Sequence, residues 1–418
     1  MKVNAALLAH AQAALAELLR FAGPADQVLT RYFRAHRALG QRERALIAEA
    51  SFAVLRRRRS LEAAAQSSEP RALLAAALLR VLGLSGRALE GLVEPDVVQR
   101  IRAADAGAQP EAVRADLPDW LWQRLAAEQG GDEAMRIAQG LLNAAPLDLR
   151  VNLARTSRED VLARLAHDGI AAAATPYSPS GVRLGAKPAI NQHALFLDGL
   201  IEVQDEGSQL LAWLLAPRRG EMIADYCAGA GGKTLAAGML MRGAGRVYAI
   251  DVSAKRLAAL AARAARAQVS NVHAIALSGD NDARAKWLAG KLDRVLVDAP
   301  CSGFGTLRRN PDLKWRHGPQ AVHELAQKQS RILEAAARLL KPGGRLVYAT
   351  CSILREENEA IADAFAAAHP EFRALSCDEL LAAQRIGLQA GERFRLWPHT
   401  HGTDGFFAAA FERAGASS

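Results

Sequence analysis

The sequence predicts an α/β protein, a doubly wound parallel sheet preceded by an all-helical segment and a small α+β module. Three observations predict it. From Gly220 onward, short apolar runs alternate with amphipathic helical stretches, the pattern of a parallel sheet. Before about residue 130, Leu, Ala, Val and Ile recur at three and four spacing, as on helices. Between these regions Leu147-Asp-Leu-Arg-Val-Asn-Leu153 alternates apolar and polar with period two, as a half-buried strand does. The corresponding domains are residues 1–130, 131–217 and 218–415.

In the first domain the run from Leu39 to Leu55 is the clearest helix. Breaks fall at Gly23-Pro24, Glu69-Pro70, Gly83, Pro95, Pro110 and Pro118, so several short helices surround one core. In the second, a helix is predicted over 158–168, followed by the segment 177–184 with its Ser-Gly turn. Residues 196–204 then lead into an apolar helix over 207–215. In the third, strands are predicted at 222–226, 246–250, 272–276, 294–297 and 345–349. Helices fall between them at 235–241, 255–267, 281–288 and 323–340. Two closing strands, 393–397 and 405–411, are joined by Pro398-His-Thr-His-Gly-Thr-Asp404.

Composition narrows the class. The chain has 418 residues, half of them hydrophobic, enough for two or three cores. No run reaches the length of a membrane-spanning helix. Met1 to Arg20 reads as an amphipathic helix, without the order of a secretion signal. Four cysteines in no regular spacing make neither a disulfide framework nor a zinc site, and a reducing cytoplasm is expected. The net charge is +9 and the pI about 9.7. Residues 1–60 hold eleven Arg/Lys against four Asp/Glu, a net of +7. A second basic cluster, Leu307-Arg-Arg-Asn-Pro-Asp-Leu-Lys-Trp-Arg316, follows Cys301. Clustered arginine suits phosphate backbones, because its planar fork binds phosphate bidentately. Over 31–59 a solvated helix face explains the charge as well as nucleic acid does. Over 307–316 nucleic acid is the preferred explanation, although Trp315 could equally pack its own loop.

Chemistry concentrates at strand ends. Asp225-Tyr-Cys-Ala-Gly-Ala-Gly-Gly-Lys-Thr234 follows the first strand and opens a helix, where glycines let backbone approach a ligand closely. Asp251 closes the second strand, where an acid accepts ribose hydroxyls or caps the next helix. Asp280 follows the third strand at the position that would meet an adenine, with Asp282 as its rival. Cys301, in Asp298-Ala-Pro-Cys301-Ser, and Cys351, in Ala349-Thr-Cys351-Ser, both follow apolar runs and reach one rim of the sheet. A thiolate adding to carbon-6 of cytosine makes carbon-5 nucleophilic towards a methyl cation equivalent, and a second thiol or an acid then manages the proton. Cys227 and Cys377 read as buried small hydrophobes.

These segments, with Lys314-Trp315 and Gly402-Thr-Asp-Gly-Phe-Phe407, resemble the motif series of the Nol/Nop/Sun family of S-adenosylmethionine-dependent RNA cytosine-5 methyltransferases over residues 145–415. The helical start resembles a NusB-like RNA-binding domain. The resemblance implies a Rossmann-like methyltransferase domain, with Cys351 as nucleophile and Cys301 as the thiol that assists release. It implies cofactor contacts from Cys227, Ala228, Gly229, Ala230, Gly231, Gly232 and Lys233, and from Asp251, Asp280 and Asp298, the last also facing the base. It implies RNA as partner, 16S rRNA first and tRNA second, with the chain acting as a monomer and no metal. Ala230 stands where the family carries proline, which predicts a looser loop. A non-catalytic RNA assembly factor and a DNA cytosine methyltransferase are the rivals. The first has no use for two strand-end thiols, and the second uses the Pro-Cys cysteine as nucleophile.

Overall fold

The computed structural model describes residues 3–279 and 282–415. They form two compact units, residues 3–144 with 306–319, and the described residues of 145–305 with 320–415.

The first unit is helical. Its helices include Ala5–Leu18, Ala25–Ala35, Gln41–Arg56, Arg58–Ala65, Pro70–Arg80, Pro95–Ala103, Asp119–Gln129 and Gly131–Leu142. Pro70 and Pro95 start their helices, where a missing N–H costs nothing. Leu15, Ile47, Leu55, Leu73 and Leu74 make the centre of the core, each fully buried.

Residues 306–319 fold with this helical unit, which corrects the reading of the second basic cluster. Lys314 and Arg308 are buried. The Lys314 ammonium donates to the carbonyls of Arg56 (2.8 Å) and Asp116 (2.6 Å). The Trp315 indole donates to the Leu55 carbonyl at 2.7 Å and lies under the Arg58 guanidinium. Lys314 and Trp315 therefore anchor the segment rather than face a phosphate backbone. Burial pulls the Lys314 pKa down to about 7, against a smaller opposing pull from Asp116. The unfolded chain thus binds more protons than the folded one between about pH 7 and the ordinary lysine range. Stability should rise with pH across that window, at most about 1.4 kcal/mol per pH unit from this group. Lys314→Met should flatten the rise in urea unfolding measured from pH 7 to 10; an unchanged slope would contradict the assignment.

The second unit holds two sheets. The smaller contains β1 (Leu147–Val151), β2 (Ala172–Ala174), β3 (Gly181–Leu184) and β4 (Ile201–Val203), antiparallel in the order β2-β3-β1-β4. Helix Arg158–His167 covers one face, with Val161 and Leu165 against Leu149, Val151 and Val182. The period-two pattern of β1 is present, but its polar face is not in solvent. Arg150 and Asn152 are buried: Arg150 donates to the Gly232 carbonyl (2.6 Å) and Asn152 to the carbonyls of Ala267 (2.9 Å) and Gly199 (3.1 Å). Glu202 on β4 accepts from Arg263 and Arg266. The polar face of the small sheet is thus its contact with the larger α/β layer.

The larger sheet contains β5 (Met222–Tyr226), β6 (Arg246–Asp251), β7 (Val272–Ala276), β8 (Leu292–Asp298), β9 (Leu340–Thr350), β10 (Phe372–Leu375), β11 (Phe394–Leu396) and β12 (Phe406–Arg413). The order is β10-β12-β9-β8-β5-β6-β7, with β11 also on β12. Strands β5 to β9 pair in parallel; β12 is antiparallel to β9. Alternate residues enter opposite cores. Val295, Val297, Leu346 and Tyr348 face helix Pro319–Ala337, while Leu296, Val347 and Ala349 face helix Glu206–Leu215. Both faces are buried, which explains the near-continuous apolar runs. The chain runs outward from β5 through β7 and then returns to β8, so the sheet reverses direction between β5 and β8. Ligands bind outside the carboxyl ends of strands at such a switch.

Several boundaries differ from expectation. The helix expected over 281–288 is one turn, Ala283–Lys286. Strand β9 begins at Leu340, because Leu340 pairs with Leu292 before the Pro-Gly-Gly excursion and Arg345 resumes opposite Arg294. Strands β2 and β10 were not expected; Ala172-Ala-Ala174 carries no strand signal of its own and gains its form from pairing with β3.

Candidate active site

The residues singled out at strand ends converge at the carboxyl edge of the larger sheet. The loop after β5 begins with Cys227 at φ +76°, an unusual conformation for a side chain with a Cβ. Cys227 and Ala228 both donate their N–H to the Ile250 carbonyl at 2.9 Å. Gly229 donates to Asp251 Oδ2 at 2.8 Å, and Arg263 holds the Ala230 carbonyl at 2.6 Å. The loop that lacks the expected proline is therefore tied at successive residues. Gly231, at φ +85°, caps helix Gly232–Leu240, and a Cβ there would lie 2.0 Å from Leu260 Cδ1. Only glycine fits both constraints.

Asp251 is buried at the end of β6. Its Oδ1 accepts from the Ser253 N–H at 2.7 Å. Ser253, not Asp251, caps the following helix. Each Asp251 oxygen keeps a second acceptor site. Beside it an open cleft is lined by Val252, Leu277, Gly279, Pro300 and Ile332, and Val252 is 59% exposed although apolar. A carboxylate with free lone pairs beside exposed apolar surface suits a nucleoside. Asp280 lies outside the described residues. Its rival Asp282 is engaged elsewhere: it caps helix Ala283–Lys286, accepts from Ser278 and pairs with Arg284.

At the end of β8, Asp298 Oδ2 pairs with Lys233 Nζ at 2.6 Å. Burial would depress the Lys233 pKa, but Asp298, Asp225 and Cys351 outweigh it and the net shift is upward. Lys233 therefore carries its charge beside Cys351. Asp225, on β5, is buried; Thr234 donates to its Oδ2 at 2.6 Å, and its Oδ1 has no hydrogen-bond partner. Burial first, and the Asp298 charge second, raise its pKa to about 6. Asp225 lay in the quoted motif without a role, and its position at a buried strand end next to a Gly-rich turn was the available signal.

Cys301 and Cys351 are free, half-buried and adjacent, Sγ to Sγ 3.3 Å. The Cys301 thiol is pushed well above its ordinary pKa, first by its hydrogen bond to Cys351, then by burial and by the Cys351 charge. Cys301 is thus held in its thiol form. Burial also raises Cys377 to about 11 and holds Cys227 upward. Neither of these is poised as a nucleophile. Gly305 donates to the Cys351 carbonyl at 2.8 Å and accepts from Gly405 at 2.8 Å. A Cβ at Gly305 would lie 2.2 Å from the Gly405 carbonyl and 2.8 Å from that of Cys351. Gly305→Ala should therefore displace the Cys351 turn. We expect a loss of roughly 1–3 kcal/mol in unfolding and about 10²-fold in any reaction of the Cys351 thiol; parental values of both would contradict the packing argument.

Among the described residues no group of His, Cys, Asp or Glu is arranged to hold a metal ion, and no helix is long and apolar enough to cross a membrane. A family model described as 16S rRNA methyltransferase RsmB/F matches residues 212–412, and an RsmF/B-like ferredoxin-like domain matches residues 117–191. A ribosomal RNA small subunit methyltransferase B of Xanthomonas campestris is 35% identical over 399 residues, covering 89% of this chain and 90% of the relative. A probable ribosomal RNA small subunit methyltransferase B of Synechocystis is 36% identical over 299 residues, 71% of this chain and 67% of the relative. A crystal structure of a methyltransferase homologue from Pyrococcus horikoshii superposes with a TM-score of 0.62 at 30% identity, covering 72% of this chain and 97% of that one.

Proposed function

This chain belongs to the RsmB/F family of 16S rRNA methyltransferases, and on that premise we propose that it methylates carbon-5 of a cytosine in 16S rRNA through a covalent adduct on Cys351. The observation that carries the reading is the 3.3 Å contact of two thiols beside the Lys233–Asp298 pair. S-adenosylmethionine is the methyl donor, and when bound it supplies an electrophilic methyl group. Asp251 and the loop Cys227 to Lys233 would hold it, with Asp280 and Asp298 completing the set.

The residues divide the work. The Cys351 thiolate, in the field of the Lys233 ammonium, adds to carbon-6 of the ring, and the electron pair of the 5,6 double bond moves to carbon-5. Asp298, held by Lys233, lies where the base is presented. Cys301 stays protonated while Cys351 is a thiolate, because the neighbouring sulfur is the first cause of its raised pKa. Once Cys351 is bonded to carbon that charge is gone, so Cys301 can release its own proton to solvent and become a thiolate. Carbon-5 accepts the methyl group, and the Cys301 thiolate then takes the proton from carbon-5; the electron pair of that C–H bond re-forms the 5,6 double bond as the carbon-6–sulfur bond breaks and returns Cys351 as a thiolate. A base in a stacked duplex cannot reach this rim, so the target is single-stranded or turned out of its stack.

The test is bisulfite sequencing of 16S rRNA, and of tRNA in parallel, after incubation with the purified protein and methyl donor. A new protected cytosine in 16S rRNA is expected. Methylation on ribose, on a ring nitrogen or on tRNA alone would contradict the proposal.

A further inference from the structure

The two Cys-Ser turns share one support that the sequence did not announce. Glu357 lies in the short 3-10 turn Arg355–Glu357 after β9 and is fully buried. Its Oε2 accepts from the hydroxyls of Ser302 and Ser352, each at 2.5 Å; these serines directly follow Cys301 and Cys351. Its Oε1 accepts from the Ser302 N–H at 2.8 Å and from the Gln329 amide at 3.0 Å. The same Gln329 amide donates to the Pro300 carbonyl, next to Cys301. Asn358 adds a second tie, accepting from the Thr350 hydroxyl and donating to the Ser352 carbonyl. An ionised carboxylate is an acceptor only, with room for four donors, and it finds four here.

We propose that Glu357 is the positioning residue of the dithiol site: one buried carboxylate carries both Cys-Ser turns and thereby fixes the distance between the two sulfurs. The inference rests on the dithiol reading above and adds a residue that touches neither sulfur. Charge-assisted hydrogen bonds are short and directional, and a network with every member satisfied resists displacement. Without the clamp the turn after β8 and the turn after β9 would move independently. The Glu357 charge also lies near enough to Cys301 to contribute to holding it as the thiol.

The test reads sulfur spacing apart from catalysis. Phenylarsine oxide takes two neighbouring thiols, forming two S–As bonds and releasing one water. The full-length protein should bind it tightly, with peptide mapping placing arsenic on Cys301 and Cys351. Glu357→Gln should bind at least tenfold more weakly while remaining folded by circular dichroism, and its turnover should fall in parallel. The double variant Ser302→Ala with Ser352→Ala, which leaves the carboxylate and removes two of its donors, should show the same loss. Parental arsenical affinity in either variant, or arsenic elsewhere in the parent, overturns the proposal. If the affinity losses occur but Cys351→Ala still transfers methyl groups, the clamp stands and the catalytic reading falls.

Discussion

Replacing Cys351 with alanine is expected to lower 5-methylcytosine formation by at least about 10⁴-fold, since no other described thiol can add to carbon-6. Cys301 cannot substitute. Its thiol is pushed well above its ordinary pKa, and its turn leads from Asp298 rather than from β9. Cys227 and Cys377 have raised pKa values, and Cys377 is fully buried. The substitution should not unfold the protein, because Cys351 is half-buried and the turn is held through Ser352 and Thr350. Tritium transfer from labelled donor to 16S rRNA measures the loss. Activity within tenfold of the parent would remove Cys351 from the mechanism.

The second large effect concerns Cys301. Cys301→Ala should still add to the base and accept the methyl group, but lose the group that takes the carbon-5 proton. Turnover should fall by roughly 10²–10⁴-fold, the usual contribution of a positioned base. Protein should then accumulate as an SDS-stable adduct with RNA. The two cysteine variants thus fail differently: one forms no adduct, the other cannot release it. An adduct-free Cys301→Ala enzyme with low activity would instead make Cys301 part of the addition step.

Much of this site was legible in the sequence because it sits at the ends of strands. Apolar runs before Asp298 and Cys351, and the glycines from 229 to 232, announce a parallel sheet and a tight turn with purely local signals. Pairing in β8 and β9 then puts the two cysteines side by side. What was not legible depends on burial. Glu356-Glu357-Asn358-Glu359 has the composition of a solvated acidic turn, and nothing in its spacing says that Glu357 and Asn358 are turned inward. Lys314 reads as part of a nucleic-acid surface for the same reason, with Trp315 open between that and loop packing: a basic residue near a thiol is a surface residue by default, and only the fold reveals Lys314 capping two carbonyls of the helical unit. Arg150 on β1 and Asn152 just after it show the converse, where a polar stripe that promises solvent is instead a contact with helices Gly232–Leu240 and Ala254–Ala267.

Nucleophile identity is the central claim, and a 16S rRNA fragment carrying 5-fluorocytidine tests it most directly. Fluorine at carbon-5 cannot leave as a proton does, so the adduct persists after methyl transfer. The parental protein, incubated with this RNA and the methyl donor, digested and analysed by mass spectrometry, should carry the methylated fluorocytidine on the peptide containing Cys351. The nucleotide on Cys301, or no adduct at all, would contradict the account.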